Sequence, residues 1–155
     1  MRCFFIGHRD AGEMLMSQLE TEVKRHILEY GVTEFVVGQY GAFDRMAARA
    51  VINAKKDSPN IRLSILLPYH PSERDVKAPK GYDDTFYPPD MEAVPKRFAI
   101  VRANQYVIKH SEYLIAYAWK TGSNAREFVE FARRQKNIVV TELPHFKGTR
   151  SQLEL

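Results

Sequence analysis

Three short polar segments follow apolar runs of the sequence and carry residue types that bind phosphate. Gly7, His8 and Arg9 follow the run CFFI, GQYGAFD (38–44) follows EFVV, and KTGSNARE (120–127) follows YLIAYAW. Glycine turns that lead into helices present backbone N–H groups and the positive end of a helix dipole to an anion. An arginine adds a bidentate contact to phosphate, and a histidine adds a hydrogen bond. The pattern therefore indicates a phosphate-bearing ligand.

The residues expected to contact this ligand lie in these segments and on the helix predicted before the last one. They are Gly7, His8, Arg9, Gly38, Gln39, Gly41, Asp44, Arg102, Ser123 and Asn124. Several of them also have a structural explanation, and His8 and Arg9 could simply face solvent. Gly7 allows a tight turn, Asp44 in a first helical turn stabilises the helix dipole by about 0.3–1 kcal/mol, and Ser123 or Thr121 caps a helix. Arg102 is equally suited to a surface salt bridge.

Glu127 is the candidate catalytic residue. It lies one turn into the helix predicted after Ser123, close to where a ligand at the helix N-terminus would sit. A glutamate in this position could act as general acid or base on the bond between a sugar and a base. The alternative is a glutamate of the capping turn, which stabilises the helix and contacts no ligand.

Other common chemistries lack their motifs in this sequence. There is no G-x-G-x-x-G fingerprint, no G-x-x-x-x-G-K-[ST] phosphate loop and no G-x-S-x-G nucleophile turn. The histidines show no metal-ligand spacing, and there is no C-x-x-C. We therefore expect neither an ordinary NAD dehydrogenase, a P-loop NTPase nor a serine hydrolase, and we expect no metal site.

Length and composition indicate one globular domain, placed at 1–155, since 45% of the 155 residues are hydrophobic and 27% are charged. No run approaches the roughly 18 apolar residues of a membrane span. The single cysteine, Cys3, lies in a predicted strand and allows no internal disulfide. We therefore expect a cytoplasmic protein that binds no membrane. The net charge of +4 permits anionic partners without singling out nucleic acid.

The elements that must position these residues follow from four or five apolar runs that alternate with amphipathic stretches. The predicted strands are CFFI (3–6), EFVV (34–37), LSILL (63–67), YLIAYA (113–118) and IVV (138–140). The predicted helices run from Leu15 to Tyr30, from Phe43 to Ala54, from Pro95 to about His110 and from Asn124 to Lys136. We predict a Rossmann-like α/β domain in three layers, with a mostly parallel sheet of about five strands and helices on both faces. Ligands bind such sheets outside the carboxyl ends of the strands, where the polar segments lie.

The span from Pro68 to Pro95 breaks this alternation. It holds six prolines and three tyrosines. A loop this long inside a compact domain is either a functional lid or contains an element that the pattern does not reveal. We predict a partly ordered flap over about 68–95.

Four segments of the sequence resemble a known family: CFFIGHR, VVGQYGAFDRMAARA, PKRFAIVRANQYVIKHSEYLIAYAW and SNAREFVEFARR. They are similar to the small YpsA-like branch of the SLOG superfamily, which also contains the DNA-processing protein A (DprA/Smf) domain and the Lonely Guy (LOG) phosphoribohydrolases. The resemblance covers about residues 2–141 and is most specific at GHR and G-x-Y-G-x-F-D. It implies a Rossmann-like domain that binds a nucleotide or nucleotide-derived ligand through the backbone amides of its glycine turns.

The resemblance also assigns roles by position. Residues 7–9 resemble the first ligand-facing loop, and residues 38–44 resemble the glycine turn and acid of the DprA-like motif. Residues 123–127 lie where LOG enzymes have P-G-G-x-G-T-x-x-E with its catalytic glutamate. This chain has KTGSNARE there, with one glycine and the glutamate displaced by one residue, and Arg102 is the nearest match to the arginine of the preceding helix.

The main functional prediction is a sensor or regulatory protein that binds a small nucleotide, ADP-ribose or an NAD-derived ligand, with no cofactor otherwise required. The alternative is a nucleotide N-glycosidase or phosphoribohydrolase in which Glu127 is the acid/base and Arg9 and Arg102 hold phosphate. A further alternative is single-stranded DNA binding, suggested by the resemblance to DprA, the basic charge and the aromatic residues. A homodimer is also expected, because related proteins of the superfamily associate through helix faces.

Overall fold

Six parallel strands form the sheet of the computed structural model, which describes residues 1–74 and 77–146. They are β1 (Arg2–Gly7), β2 (Glu34–Val37), β3 (Arg62–Leu66), β4 (Asp84–Phe86), β5 (Tyr113–Tyr117) and β6 (Val139–Glu142). Their order is β4-β3-β2-β1-β5-β6, and every neighbouring pair is parallel. The chain moves outward from β1 to β4 and then returns to the other side of β1. The strand order therefore reverses beside β1, which is where α/β sheets open a crevice for ligands.

Four helices cover the two faces of the sheet. They are α1 (Met16–Leu28), α2 (Ala42–Ala54), α3 (Ala99–Lys109) and α4 (Asn124–Arg133). Alternate residues of β1 point to opposite faces: Cys3 and Phe5 pack into the core beneath α1 and α2, and Phe4 and Ile6 into the core beneath α3 and α4. This double burial explains why the first strand is a continuous apolar run.

The predicted α/β fold is confirmed, with one strand more than about five. The additional strand, β4, lies inside the predicted flap, and its residues are exposed or half-buried at the sheet edge, so no apolar run marks it. Its pairing with β3, together with buried Pro88 and Met91, ties the second half of this segment to the domain. Residues 75–76 of the predicted flap and 147–155 of the predicted domain lie outside the described residues.

Helix boundaries differ from the prediction by one or two residues in α1 and α2, with α1 ending at Leu28 rather than Tyr30, and by more in α3 and α4. The helix expected from Pro95 begins as a short 3-10 helix over Lys96–Phe98, and α3 follows it. The last helix, α4, ends at Arg133 rather than Lys136, because Arg134 is its C-cap. Within the described residues, no helix combines the length and apolar character needed to cross a bilayer.

Candidate functional site

A cavity of about 290 Å³ lies at the carboxyl ends of β1, β2 and β3, beside α3 and the first residues of α2 and α4. Its volume is at the lower end of the range for small-molecule sites. The polar side chains that line it are Arg9, Tyr40, Asp44, Asn104 and Asn124. Much of the remaining wall is apolar, including Ile6, Leu66 and Phe128. We call this the strand-end cavity.

A larger groove of about 960 Å³ runs along the outer face of α1, but none of the predicted site residues lines it. The strand-end cavity, in contrast, is lined by Gly7, Arg9, Gly38, Asp44 and Asn124 of the predicted set. These residues come from all three polar segments of the sequence. The fold therefore brings the three segments together at one site.

Two glycines allow the loops after β1 and β2 to pack against each other. Gly41 has a φ of 107°, and a Cβ there would lie 2.6 Å from the Cα of Arg9. The backbone N–H of Ala42 donates to the carbonyl of Arg9 at 2.8 Å. At Gly7, a Cβ would lie 2.2 Å from the ring of Phe43. These close approaches hold Arg9 beside the N-terminus of α2.

The guanidinium of Arg9 is available to an anion. It is exposed, lines the strand-end cavity and lies 5.9 Å from the ring centroid of Tyr40. Among residues 1–74 and 77–146, none pairs with this guanidinium through a hydrogen bond or an ion pair. An unpaired guanidinium can bind phosphate in bidentate fashion while its plane stays against the aromatic ring.

Asp44 contributes a carboxyl group to the same cavity. Its Oδ2 accepts a hydrogen bond from the backbone N–H of Tyr40 at 3.1 Å, and a Cβ on Gly38 would lie 2.7 Å from this oxygen. Burial raises the pKa of Asp44 to about 7, against the opposing effects of that hydrogen bond and of Arg45 and Arg9. Because the folded-state pKa exceeds the usual 3.8, this group lowers the free energy of unfolding as pH rises from about 4 to about 7.

His8 holds the first loop in place and does not line the cavity. It is 6% exposed, and its Nε2 accepts a hydrogen bond from the backbone N–H of Lys120 at 3.3 Å. Its ring meets those of Tyr117 and Trp119 edge to face. Burial lowers the pKa of His8, and Lys120 acts in the same direction, so the imidazole is neutral at pH 7. His8 therefore links the loops after β1 and β5, and its contact with a ligand stays a prediction.

Gln39 and Ser123 also have structural partners. The side-chain amide of Gln39 donates to the carbonyl of Leu66 at 3.2 Å. The Oγ of Ser123 accepts from the backbone N–H of Arg126 at 3.1 Å and donates to the carbonyl of Lys120 at 2.7 Å. Ser123, rather than Thr121, is the N-cap of α4. The structural explanation given for the hydroxyl groups is thus the one that the contacts support.

Glu127 and Arg102 lie outside the strand-end cavity. Glu127 is exposed and lines a neighbouring groove between α3 and α4. Arg102 lines a separate hollow of about 360 Å³ with residues that precede α3, such as Asp90. The two residues do not share one crevice with Arg9, because the side chains of α3 and α4 that face the cavity are Ile100, Asn104, Asn124 and Phe128.

Three aromatic residues with neighbouring cations follow the strands and were not in the predicted set. Tyr69 after β3 lies under Arg74 at 4.4 Å from its ring centroid. Tyr40 after β2 lies under Arg9, and Trp119 after β5 lies 5.5 Å from the Nζ of Lys120. We call these six residues the strand-end row. The sequence does show each aromatic residue close after an apolar run, a signal that could have identified all three.

One end of the strand-end row is partly covered by the segment after β6. The imidazole of His145 stacks on Trp119 with ring centroids 3.9 Å apart and planes within 4°, and its Nδ1 lies 2.6 Å from the Oη of Tyr117. Trp119 nevertheless keeps 42% of its surface exposed. Lys120 is paired with Asp10 at 2.9 Å. A flat ring can therefore stack on Trp119 in this protein, and His145 already does so.

Comparison with known proteins identifies the fold. No family model matches the chain, and no curated protein matches it. Among solved structures, the chain is similar to DNA processing protein A from Helicobacter pylori, which was described for its mode of binding single-stranded DNA. The identity is 18% over 99% of this chain and 72% of that chain, with a TM-score of 0.65. At this identity the likeness shows the Rossmann-like α/β fold alone.

Proposed function

We propose that this chain binds single-stranded DNA across the carboxyl ends of its strands, with one nucleotide in the strand-end cavity. The observation that carries the proposal is the strand-end row, in which an aromatic ring and a cation recur after β3, β2 and β5. Proteins that bind single strands without sequence readout combine cations that follow the backbone with aromatic rings on which bases stack. The strand-end row offers both the cations and the aromatic rings at the carboxyl ends of the strands.

The length of the row suits a short stretch of single strand. Neighbouring strands lie about 4.8 Å apart, so the ends of β3 and β5 are separated by three intervals, or about 14 Å. At a spacing of about 3.4 Å per nucleotide, this distance corresponds to about four stacked nucleotides. Burial raises the pKa of Tyr40, Tyr69 acts in the same direction, and Arg74 and Arg9 oppose it, so these three neighbours lie within electrostatic range of Tyr40.

The fold likeness supports the proposal from a second direction. The similar structure is that of DNA processing protein A from Helicobacter pylori, which binds single-stranded DNA. Membership of the SLOG superfamily, and of its small YpsA-like branch, is part of the proposal. It is supported by the glycine turns at Gly7 and Gly41, which lie where the family resemblance expects the ligand-facing loops and which pack closely against each other.

The second candidate is a free nucleotide or a nucleotide derivative such as ADP-ribose, bound by a sensor or regulatory protein. It is favoured by the strand-end cavity itself, which combines apolar walls with a few polar side chains, as small-molecule sites do. Both candidate functions place one nucleotide in the strand-end cavity. They differ in whether Trp119, at the β5 end of the row, takes part.

Trp119 gives a direct test because it is the only tryptophan in the chain. We expect (dT)12 to change the intrinsic fluorescence of Trp119 on binding, whereas dTMP leaves it unchanged. In anisotropy titrations with labelled (dT)12, Trp119→Ala is expected to weaken binding about tenfold, since stacking contributes about 1–3 kcal/mol per base. The logarithm of the affinity should fall with the logarithm of salt with a slope of about −2 if three row cations contact phosphates.

His145→Ala is the matched control for this test. It removes a ring from the same stack without removing the tryptophan, so its affinity for (dT)12 should equal or exceed that of the wild type. Binding of dTMP and (dT)12 with the same affinity, and no effect of Trp119→Ala on either, would reject the single-strand proposal in favour of the free nucleotide.

The hydrolase alternative makes a separate prediction about Glu127. Because this carboxylate lies outside the strand-end cavity, Glu127→Gln is expected to change the affinity for (dT)12 or for nucleotides by less than twofold. Chromatography of AMP incubated with the wild type should show no released adenine. Release of adenine that disappears in Glu127→Gln would instead establish the hydrolase.

A further inference from the structure

The carboxyl group of Asp44 has one oxygen engaged and one free. Oδ2 is held by the backbone N–H of Tyr40 and packs against Gly38, which fixes the orientation of the group. Among residues 1–74 and 77–146, no donor reaches Oδ1. The side chain is half-buried and lines the strand-end cavity. A ligand in the cavity can therefore complete the hydrogen bonding of this carboxyl.

Among the described residues, no cation forms a direct ion pair with the carboxyl of Asp44. The charged or titratable groups that face it are Arg9 from the loop after β1, Arg45 on its own helix, Tyr40 after β2 and Tyr82 before β4. Neither Arg9 nor Arg45 lies within ion-pair distance of the Asp44 carboxyl. Both lower its pKa, against the effect of burial. The carboxyl is thus desolvated by burial, and Arg9 and Arg45 act on it only from beyond ion-pair distance.

Resting on the proposed function, we propose that Asp44 reads the hydrogen-bonding edge of the nucleobase in the strand-end cavity, and that it does so as a neutral carboxylic acid. In the neutral acid the free Oδ1 carries the O–H donor, and the carbonyl Oδ2 keeps a second lone pair for the base beside the one that accepts from Tyr40, whereas a carboxylate offers acceptors only. The donor–acceptor pair matches the N3–H and a carbonyl oxygen of thymine, as well as the N6 amino group and N1 of adenine. The acceptor-only carboxylate matches the two adjacent donors of guanine.

The protonation state of Asp44 then sets the base preference of the cavity. Desolvation places the pKa of this group at about 7, so both forms are populated near neutral pH. Above the pKa, each pH unit removes about nine-tenths of the remaining neutral form, and the affinity for thymine falls with it. Guanine loses nothing from this change, because its donors pair with the ionised form.

The test measures the affinity for labelled (dT)12 between pH 6.0 and 8.5, where phosphodiesters do not titrate. We expect the wild type to bind about 30-fold more weakly at pH 8.5 than at pH 6.0, in proportion to the neutral fraction of a group with a pKa of about 7. Asp44→Asn presents one donor and one acceptor at every pH, so it should retain the affinity seen at pH 6.0 and lose the pH dependence. Asp57→Asn, which removes the same charge beyond the far end of α2, should keep the wild-type profile.

The outcomes separate this inference from the proposed function. Binding of (dT)12 with equal affinity at pH 6.0 and 8.5 would overturn the role of Asp44 alone. The same conclusion would follow if a folded Asp44→Asn variant, checked by its thermal midpoint, kept the wild-type pH profile or failed to bind at pH 6.0. Absence of binding at every pH by (dT)12, dTMP and dGMP would overturn both proposals.

Discussion

Gly41→Ala is expected to lower the free energy of unfolding by about 3 kcal/mol. A φ of 107° with a ψ of 177° is a conformation that almost only glycine adopts, and forcing another residue into it costs about 1–3 kcal/mol. The added Cβ would also lie 2.6 Å from the Cα of Arg9, which neither backbone can avoid without moving. Such overpacking costs about 1–3 kcal/mol more. Urea unfolding followed by circular dichroism measures the change, and the thermal midpoint should fall by about 6–12 °C.

Gly31→Ala is the matched control for this prediction. Gly31 also has a positive φ, of 70°, but a Cβ there would have no heavy atom within 4 Å. Its expected cost is therefore the conformational part alone, about 1–2 kcal/mol. Equal stability of the two variants would contradict the close packing of the loops after β1 and β2, since only Gly41 lies against Arg9.

The buried strands could be predicted from the sequence, whereas the edge strand could not. β1, β2, β3 and β5 are covered on both faces, so each reads as a run of apolar residues such as EFVV. β4 has Asp84 and Thr85 exposed at the edge of the sheet. It pairs with β3 through backbone groups, which every residue has, so its side chains give no signal of the pairing. The same logic explains why the sequence predicted only a partly ordered flap and no strand there: the order of this segment comes from backbone pairing and a few buried residues.

The candidate site could be predicted only in part, because sequence position identifies a loop but not the direction of a side chain. The loop at residues 7–9 does reach the strand-end cavity, yet His8 turns inward to Lys120 while Arg9 lines the cavity. Asn104 lines the cavity from the middle of α3, where no motif marks it. The helical positions that face a cavity depend on how a helix packs on the sheet, and this packing is a tertiary property.

Arg9→Ala is expected to weaken binding of (dT)12 about 30-fold at low salt. The exposed guanidinium faces the cavity without an ion-pair partner among the described residues. A phosphate could therefore form a charge-assisted hydrogen bond with Arg9 without breaking an existing ion pair. A hydrogen bond to a charged group contributes about 1.5–3 kcal/mol. Anisotropy titrations over a range of salt should also show the slope against log salt reduced by about 0.7, the value for one phosphate contact on a single strand.

Two further variants determine how Arg9 acts. Arg49→Ala removes the same charge from an arginine that pairs with Glu13 on the face of α1 and α2, so it should leave the affinity within about twofold. Arg9→Lys keeps the charge but loses the planar fork and its contact with Tyr40, so an intermediate loss with an unchanged salt slope is expected. If Arg9→Ala weakened binding while the salt slope stayed at the wild-type value, Arg9 would act by ordering Tyr40 rather than by contacting phosphate. If Arg9→Ala and Arg49→Ala were equivalent, the loop after β1 would not contact the DNA at all, and the strand would have to pass along the row on the side of Tyr69.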